Sequence, residues 1–306
     1  ACLGGVWHLT DTTVHQAVLT AEVLTFLAPQ RGGLFVDCTV GLGGHARVLL
    51  EHGASRVIGL DRDREALSQA HTALSAWAEH VELHHANYKD VDAVLNTSQI
   101  SSVDGVLADL GVSSLHLDGE GRGFSFRRDE PLDMRMDQSA GQTAADLIRN
   151  TSEQTLADII FKYGEERQSR RIARAIVEAR RTSPVTSTGD LASIVRRSLR
   201  RRGYTRIDPA TRTFQAIRIW VNQELEGLEA ALEAMCRRLR TGARLVVISF
   251  HSLEDRIVKH TFRALERGGE VAIRVLTKRP VIPQDEEVER NPRARSAKLR
   301  VAERVA

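Results

Sequence analysis

The 306-residue chain is 42% hydrophobic and 27% charged with a formal net charge of +3, a composition that excludes disordered and fibrous classes and fits one large globular domain or two. No stretch approaches the ~18 consecutive apolar residues of a membrane span, and the first residues lack the sectors of a secretory leader, so a cytoplasmic protein without a membrane partner is expected. Cys2, Cys38 and Cys236 stand far apart with no CxxC or Cys/His spacing, which argues against a disulfide framework and against a metal site.

The first half alternates short apolar runs with helical patterns. "LFVDC" (34–38), "RVIGLD" (56–61), "VELHHA" (81–86) and "VDGVLADLG" (103–111) read as strands. "HARVLLEHG" and "EALSQAHTALSAWAEH" carry apolar residues at three- and four-residue spacing and read as crossover helices. This rhythm predicts an α/β fold with a parallel sheet covered on both faces. Residues 112–137 are rich in Gly, charge and turn formers and read as a structured loop. Helical patterns follow at about 142–149, 152–163, 165–181 and 187–201, with no strand between them. One long helix is expected over 210–242, closed by Gly242, then a strand at 243–250, a helix at 253–268, and strands within "VAIRVLT" and "AKLRVAERV". The predicted organisation is an α/β domain from 1–113 and 209–306, interrupted by a helical domain over 114–208.

The turn "DCTVGLGGHARVLL" joins the first strand to a helix. Glycines there permit positive φ and close backbone approach, a weak signal alone. Asp61 ends the second strand about 20 residues on, where a carboxylate commonly receives ribose hydroxyls. Asp37, before the glycines, would repel a pyrophosphate but suits a cationic ligand without phosphate, such as S-adenosylmethionine. The fourth strand ends in "DLGVSS", so Asp109 joins Asp37, Gly41, Gly43 and Asp61 at the carboxyl ends of the strands, and is the residue expected nearest the transferred methyl group. A nicotinamide-dependent oxidoreductase on the same topology is disfavoured by Asp37 and by the lack of a hydride-transfer constellation.

Charge is unevenly spread. From Lys162 to Arg206 there are thirteen basic residues against four acidic ones, a local net of +9, which leaves the rest of the chain acidic. Arginines dominate, including Arg196, Arg197, Arg200, Arg201, Arg202 and Arg206, as suits bidentate phosphate contacts. "NPRARSAKLR" extends this basic character near the C-terminus. A nucleic-acid partner is expected.

Many segments, among them "DCTVGLGGHA", "DGVLADLGVSS", "PLDMRMD", "YGEERQSRRIARAIV", "PATRTFQAIRIWVNQEL", "ISFHSLEDRIVK" and "NPRARSAKLRVAER", resemble the MraW/RsmH family of small-subunit rRNA (cytosine-N4)-methyltransferases along nearly the whole chain. The resemblance implies a class I S-adenosylmethionine-dependent methyltransferase fold with an inserted helical domain. It also implies methylation of the exocyclic N4 of a cytidine in the decoding region of small-subunit (16S-type) rRNA, with rRNA or the assembled small subunit as partner and a homodimer as one oligomeric option. Cofactor contacts carried over by the resemblance fall on Gly43, Gly44, His45, Asp61, Tyr88, Asp109 and His116. The family usually has Phe at the Tyr88 position and Gln at the His116 position.

Cytosine N4 is a poor nucleophile because its lone pair is delocalised, so its N–H groups need an acceptor and its approach must be held in line. Asp109 suits that role. Ser249 and His251, in "ISFHSLEDR", are expected to line the base pocket, and Phe124, Phe126 and Trp220 are candidates for base stacking. Asp133 and Arg135 could pair to organise the loop or touch RNA. No cysteine is placed for the thiolate attack that C5 methylation needs. The alternative function is a ribosome-assembly factor that keeps the fold without activity.

Overall fold

The computed structural model describes residues 17–199 and 208–306. In chain order the elements are α1 (Thr20–Leu27), β1 (Leu34–Asp37), α2 (Gly44–Glu51), β2 (Arg56–Asp61), α3 (Arg64–Ala73), β3 (Val81–His85), α4 (Val91–Thr97), β4 (Val103–Asp109), α5 (Ser114–Asp118), α6 (Ala144–Asn150), α7 (Glu153–Gly164), α8 (Ser169–Thr182), α9 (Thr188–Leu199), α10 (Thr211–Asn222), α11 (Leu228–Arg238), β5 (Leu239–Ser249), α12 (Ser252–Glu266), β6 (Ile273–Val275), α13 (Asp285–Arg290) and β7 (Lys298–Arg304). The seven strands form one sheet in the order β3-β2-β1-β4-β5-β7-β6. The first five neighbours run parallel, and β7 lies antiparallel between β5 and β6.

Alternate residues of the central strands divide between the two faces. Val36, Ile58, Val106 and Val247 pack into one apolar cluster with α4, α11 and α12. Phe35, Val57, Leu107 and Val246 pack into the other with α1 and α2. A parallel sheet buried on both faces explains why these strands read as continuous apolar runs. A third cluster fills the interior of α6–α10, with Ile148, Ile160, Ile176, Leu191 and Ile217 fully or nearly fully buried. Phe214 and Ile217 of α10 belong to it, so apolar packing of the helical unit extends beyond residue 208, where the sequence reading set its boundary.

The single helix expected over 210–242 is two helices and the start of a strand. α10 stops at Gln223, whose φ is +49, and α11 starts after Gly227, whose φ is +70. Leu239 already pairs with Val103, and the register then slips before Arg244 pairs with Gly105. Gly242, with φ +82, therefore lies within a bulged β5 and is not a helix cap. Apolar spacing alone is blind to such breaks, because α10 and α11 each keep a helical period on either side.

The 112–137 segment contains only the one-turn-plus α5 and an isolated bridge from Pro131 to Ser187. Its end is pinned by Asn222, which accepts from the Met136 N–H at 2.8 Å and donates to the Met134 carbonyl at 2.7 Å. Asn222 is buried, so Asn222→Ala leaves two buried backbone groups unpaired. Chemical denaturation is expected to register a loss of about 1–3 kcal/mol; a change under ~0.5 kcal/mol would contradict this pinning role.

Candidate active site

The glycine turn is stitched to two neighbouring strands. Gly41 N–H donates to Asp61 Oδ2 at 2.8 Å, and the Asp109 N–H donates to Thr39 Oγ1 at 2.7 Å. Gly41 and Gly43 hold φ of +52 and +87, which L side chains rarely adopt. A Cβ on Gly43 would also sit 3.1 Å from the Leu74 side chain. That glycine serves close packing of α2 on the residues after α3.

A cleft of about 990 Å³ opens over these strand ends. It brings together Gly41, Gly44, His45, Asp61, Tyr88, Asp109 and His116. Asp37, Gly43, Ser249 and His251, also expected at the site, are not among its walls. Asp37, the last residue of β1, is fully buried beneath it rather than at its mouth. Ser249 is buried and donates to the Lys298 carbonyl. His251 caps α12, with Nδ1 accepting from the Glu254 N–H and Nε2 3.1 Å from Glu254 Oε1. It faces a smaller neighbouring depression of about 460 Å³.

Burial governs the charges on the cleft floor. It pushes the Asp37 carboxyl up from 3.8 to about 7, against the opposing pull of His45 and the Thr39 N–H. Burial works to lower His45, but hydrogen bonding and charge from Asp109 win and raise it. His45 Nε2 is 3.5 Å from Asp109 Oδ2, an ion-pair distance. Asp109 Oδ1, Asp37 Oδ2 and His45 Nδ1 are buried without a hydrogen-bond partner among the described residues, and Asp109 Oδ2 at 3.5 Å is the contact of His45 Nε2. Burial also raises Asp61, despite N–H groups from Asp63 and Gly41 that favour its charge.

His116 contributes a wall, yet its polar atoms are committed elsewhere. Nε2 lies 2.9 Å from Asp63 Oδ2, Nδ1 accepts from the Ser113 N–H, and the ring stacks on Phe124 at 4.9 Å. Burial opposes the Asp63 charge, but His116 and Arg122 outweigh it and hold the carboxyl at about 2. Tyr88 lines the cleft and donates its hydroxyl to the Glu224 carbonyl at 2.7 Å. The stacking candidates are packing residues: Phe124 rests on His116, Phe126 meets Phe214 edge-on at 4.7 Å, and Trp220 packs on the helical cluster. Phe250, which the sequence reading passed over, is the aromatic that joins Tyr88 in the cleft wall. Asp133 and Arg135 pair with each other at 2.7 Å within their own loop.

Of the expected RNA-binding arginines, Arg196 is paired with Asp208 at 2.8 Å and lies over the Phe126 ring. Arg197 is exposed. Arg200, Arg201, Arg202 and Arg206 lie outside the described residues. Arg127, Arg290, Arg293 and Arg295 instead line the cleft rim. Cys38 and Cys236 are buried free thiols; burial drives Cys38 well above the usual thiol range and Cys236 up to about 12.

The residues present fit a nucleoside cofactor with a cationic centre. The cleft is of ordinary ligand size, an aromatic wall faces a glycine turn, and unpartnered buried carboxylate and imidazole atoms stand at its floor. With the 3-2-1-4-5-7-6 strand order, these features define the class I S-adenosylmethionine-dependent methyltransferase fold. The chain belongs to the MraW methylase family, which matches residues 12–305. It is 50% identical over 291 residues to the ribosomal RNA small subunit methyltransferase H of Sorangium cellulosum, covering 95% of this chain and 91% of that one. Proteins of the same name from Kosmotoga olearia (50% identity, 95% and 97% coverage) and a Cyanothece species (51%, 97% and 97%) are similar to it. Among solved structures, a Streptococcus thermophilus rRNA methylase aligns over 93% of this chain and 95% of that one at 12% identity and a TM-score of 0.43.

The buried charges carry a pH signature. Folded Asp37 keeps its proton up to about pH 7, whereas an ordinary carboxyl releases it near 3.8, so the ligand-free protein loses stability as pH rises from about 4 to about 7. His45, also raised, adds to the loss as pH climbs through its folded value. Denaturant unfolding at pH 5 and pH 8 is expected to show a drop that shrinks by about 1 kcal/mol or more in Asp37→Asn. An equal drop in both proteins would contradict the buried-carboxyl account.

Proposed function

We propose that the protein transfers a methyl group from S-adenosylmethionine to the exocyclic N4 of a cytidine in the decoding region of small-subunit rRNA. The observation that carries the reading is Asp109, which ends β4 in the cleft with one carboxylate oxygen unpartnered and the other beside His45. Relatives at about half identity over nearly the whole chain bear the name of ribosomal RNA small subunit methyltransferase H, which supports an rRNA substrate. The helical unit of α6–α10 is assigned to RNA recognition, on the strength of its arginine-rich sequence.

Bound S-adenosylmethionine supplies an electrophilic methyl group on a sulfonium centre. Gly41 and Gly44 leave room for close backbone approach, Asp61 retains lone pairs for ribose hydroxyls beyond the two N–H groups it accepts, and Tyr88 with Phe250 provides apolar walls. Asp109 would accept an N–H of the target amine, which orients the nitrogen lone pair and favours the positive charge that develops on it. The methylated nitrogen is then strongly acidic and loses its proton to Asp109 or to water, so no strong base is needed. Thiols held protonated, as Cys38 and Cys236 are, supply no nucleophile for a C5 route.

Asp109→Ala is expected to lower methyl transfer by about 10²–10³-fold while leaving the melting temperature close to that of the parent. Mass-spectrometric nucleoside analysis of small-subunit particles after incubation with cofactor should find N4-methylcytidine with the parent protein. A C5-methylated product would overturn the N4 assignment, absence of any methylated nucleoside would favour a non-catalytic assembly factor, and full activity in Asp109→Ala would remove Asp109 from the mechanism.

A further inference from the structure

Two chain segments far apart in sequence form the rim of the cleft. On one side stand α5 and Arg127 of the loop that follows it; on the other stands the segment after α13, with Arg293 and Arg295. Arg127 and Arg295 are exposed, and their guanidinium groups have no hydrogen-bond or ion-pair partner among the described residues. Arg295 also lines the neighbouring depression beside His251, so it stands on the divide between the two hollows. Arg293 reaches across to α5, where one terminal nitrogen lies 2.6 Å from both oxygens of Asp118. That pair is open to solvent, with side-chain exposures of 39% and 61%.

We propose that Arg127, Arg293 and Arg295 form a phosphate-binding subsite for a single RNA strand at the rim of the cleft, in which an RNA phosphate displaces the Asp118 carboxylate from Arg293. The proposal rests on the RNA-methyltransferase reading and says where the strand lies. Guanidinium groups match phosphate and carboxylate in the same forked geometry. An exposed Asp–Arg pair holds little free energy, so exchange of one anion for another at Arg293 is easily driven. A target base that enters the cleft must bring its flanking phosphates over the rim, and these three side chains are among the cations that would meet them there.

Basic side chains on a solvated face are common, and the discriminating feature here is the sign of the effect at Asp118. A carboxylate that competes with phosphate weakens RNA binding, so its removal should strengthen it. A purely structural latch predicts the reverse, since its loss would loosen the rim. The acidic residues of α13, Asp285, Glu286, Glu287 and Glu289, precede this basic stretch in the chain.

The test uses the full chain and a fluorescein-labelled single-stranded RNA carrying a small-subunit sequence, titrated over a range of salt. Arg127→Gln combined with Arg295→Gln is expected to weaken binding roughly tenfold at low salt and to flatten the dependence of log affinity on log salt by about 1.4, or ~0.7 for each lost phosphate contact. Asp118→Asn is expected to tighten binding about two- to fivefold. Affinity for S-adenosylhomocysteine, measured by calorimetry, should stay at the parent value in both. Unchanged RNA affinity and salt slope in the double variant, or weaker RNA binding in Asp118→Asn, would overturn the subsite. Loss of S-adenosylhomocysteine binding in the double variant would also overturn it, by placing the arginines in the cofactor site. Failure of the parent protein itself to bind or methylate RNA would instead sink the reading beneath it.

Discussion

The architecture of the cleft depends on one buried ionic cluster, Asp63 with Arg122 and His116. Asp63 caps α3 through the Glu65 and Ala66 N–H groups and at the same time takes a 2.7 Å bond from Arg122 and the 2.9 Å contact of His116. Arg122 spends the same terminal nitrogen on the carbonyls of Arg135 and Met136. A loop of more than twenty residues without strands is thereby fastened at its beginning, middle and end to the residue between β2 and α3. Removing one member would strand a buried charge, which costs far more than the net worth of the intact cluster. That asymmetry makes the cluster a device of specificity more than of stability.

With the loop fixed, the strand ends can present charges that the fold itself does not satisfy. Asp61 and Thr39 spend their hydrogen bonds holding the glycine turn in place. Asp37, His45 and Asp109 are left close together, with buried atoms unpartnered. An ordinary core would not tolerate this arrangement, because a buried polar group without a partner costs free energy. A ligand with complementary charge in the cleft would offset that cost. Proteins commonly depart from local consistency at such places.

The sheet was legible because its signal is local. β1, β2, β4 and the second half of β5 are apolar runs bounded by turn residues, and the acids that follow them fall where an open parallel sheet gathers its ligands. Asp61, Tyr88 and Asp109 could be placed at the cleft on that ground and on the family resemblance. Asp37 could not be placed correctly, since its burial depends on neighbours from other elements, His45, Asp61 and Asp109, that leave no mark in its own segment. The α10–α11 break was hidden because an αL residue at Gln223 leaves no mark in apolar periodicity. The roles of His116, Ser249 and His251 depend on partners 53, 49 and 3 residues away, and only the last of these could be read from a local pattern.

Tyr88 shows how the two parts of the molecule are mechanically joined. Its ring is a wall of the cleft, and its hydroxyl bonds to the backbone of Glu224, at the end of the helical unit. Glu224 in turn is held by a forked pair of bonds from Arg218 of α10, at 2.8 and 2.9 Å. Arg218 stays charged in a buried setting because Glu224, by charge and hydrogen bond, and Glu254 outweigh the burial that opposes it. A phenylalanine at position 88 would keep the wall but give up the bond. In this chain, displacement of α10 therefore strains a side chain that lines the cleft, so the geometry of the helical unit and that of the cleft wall are set together.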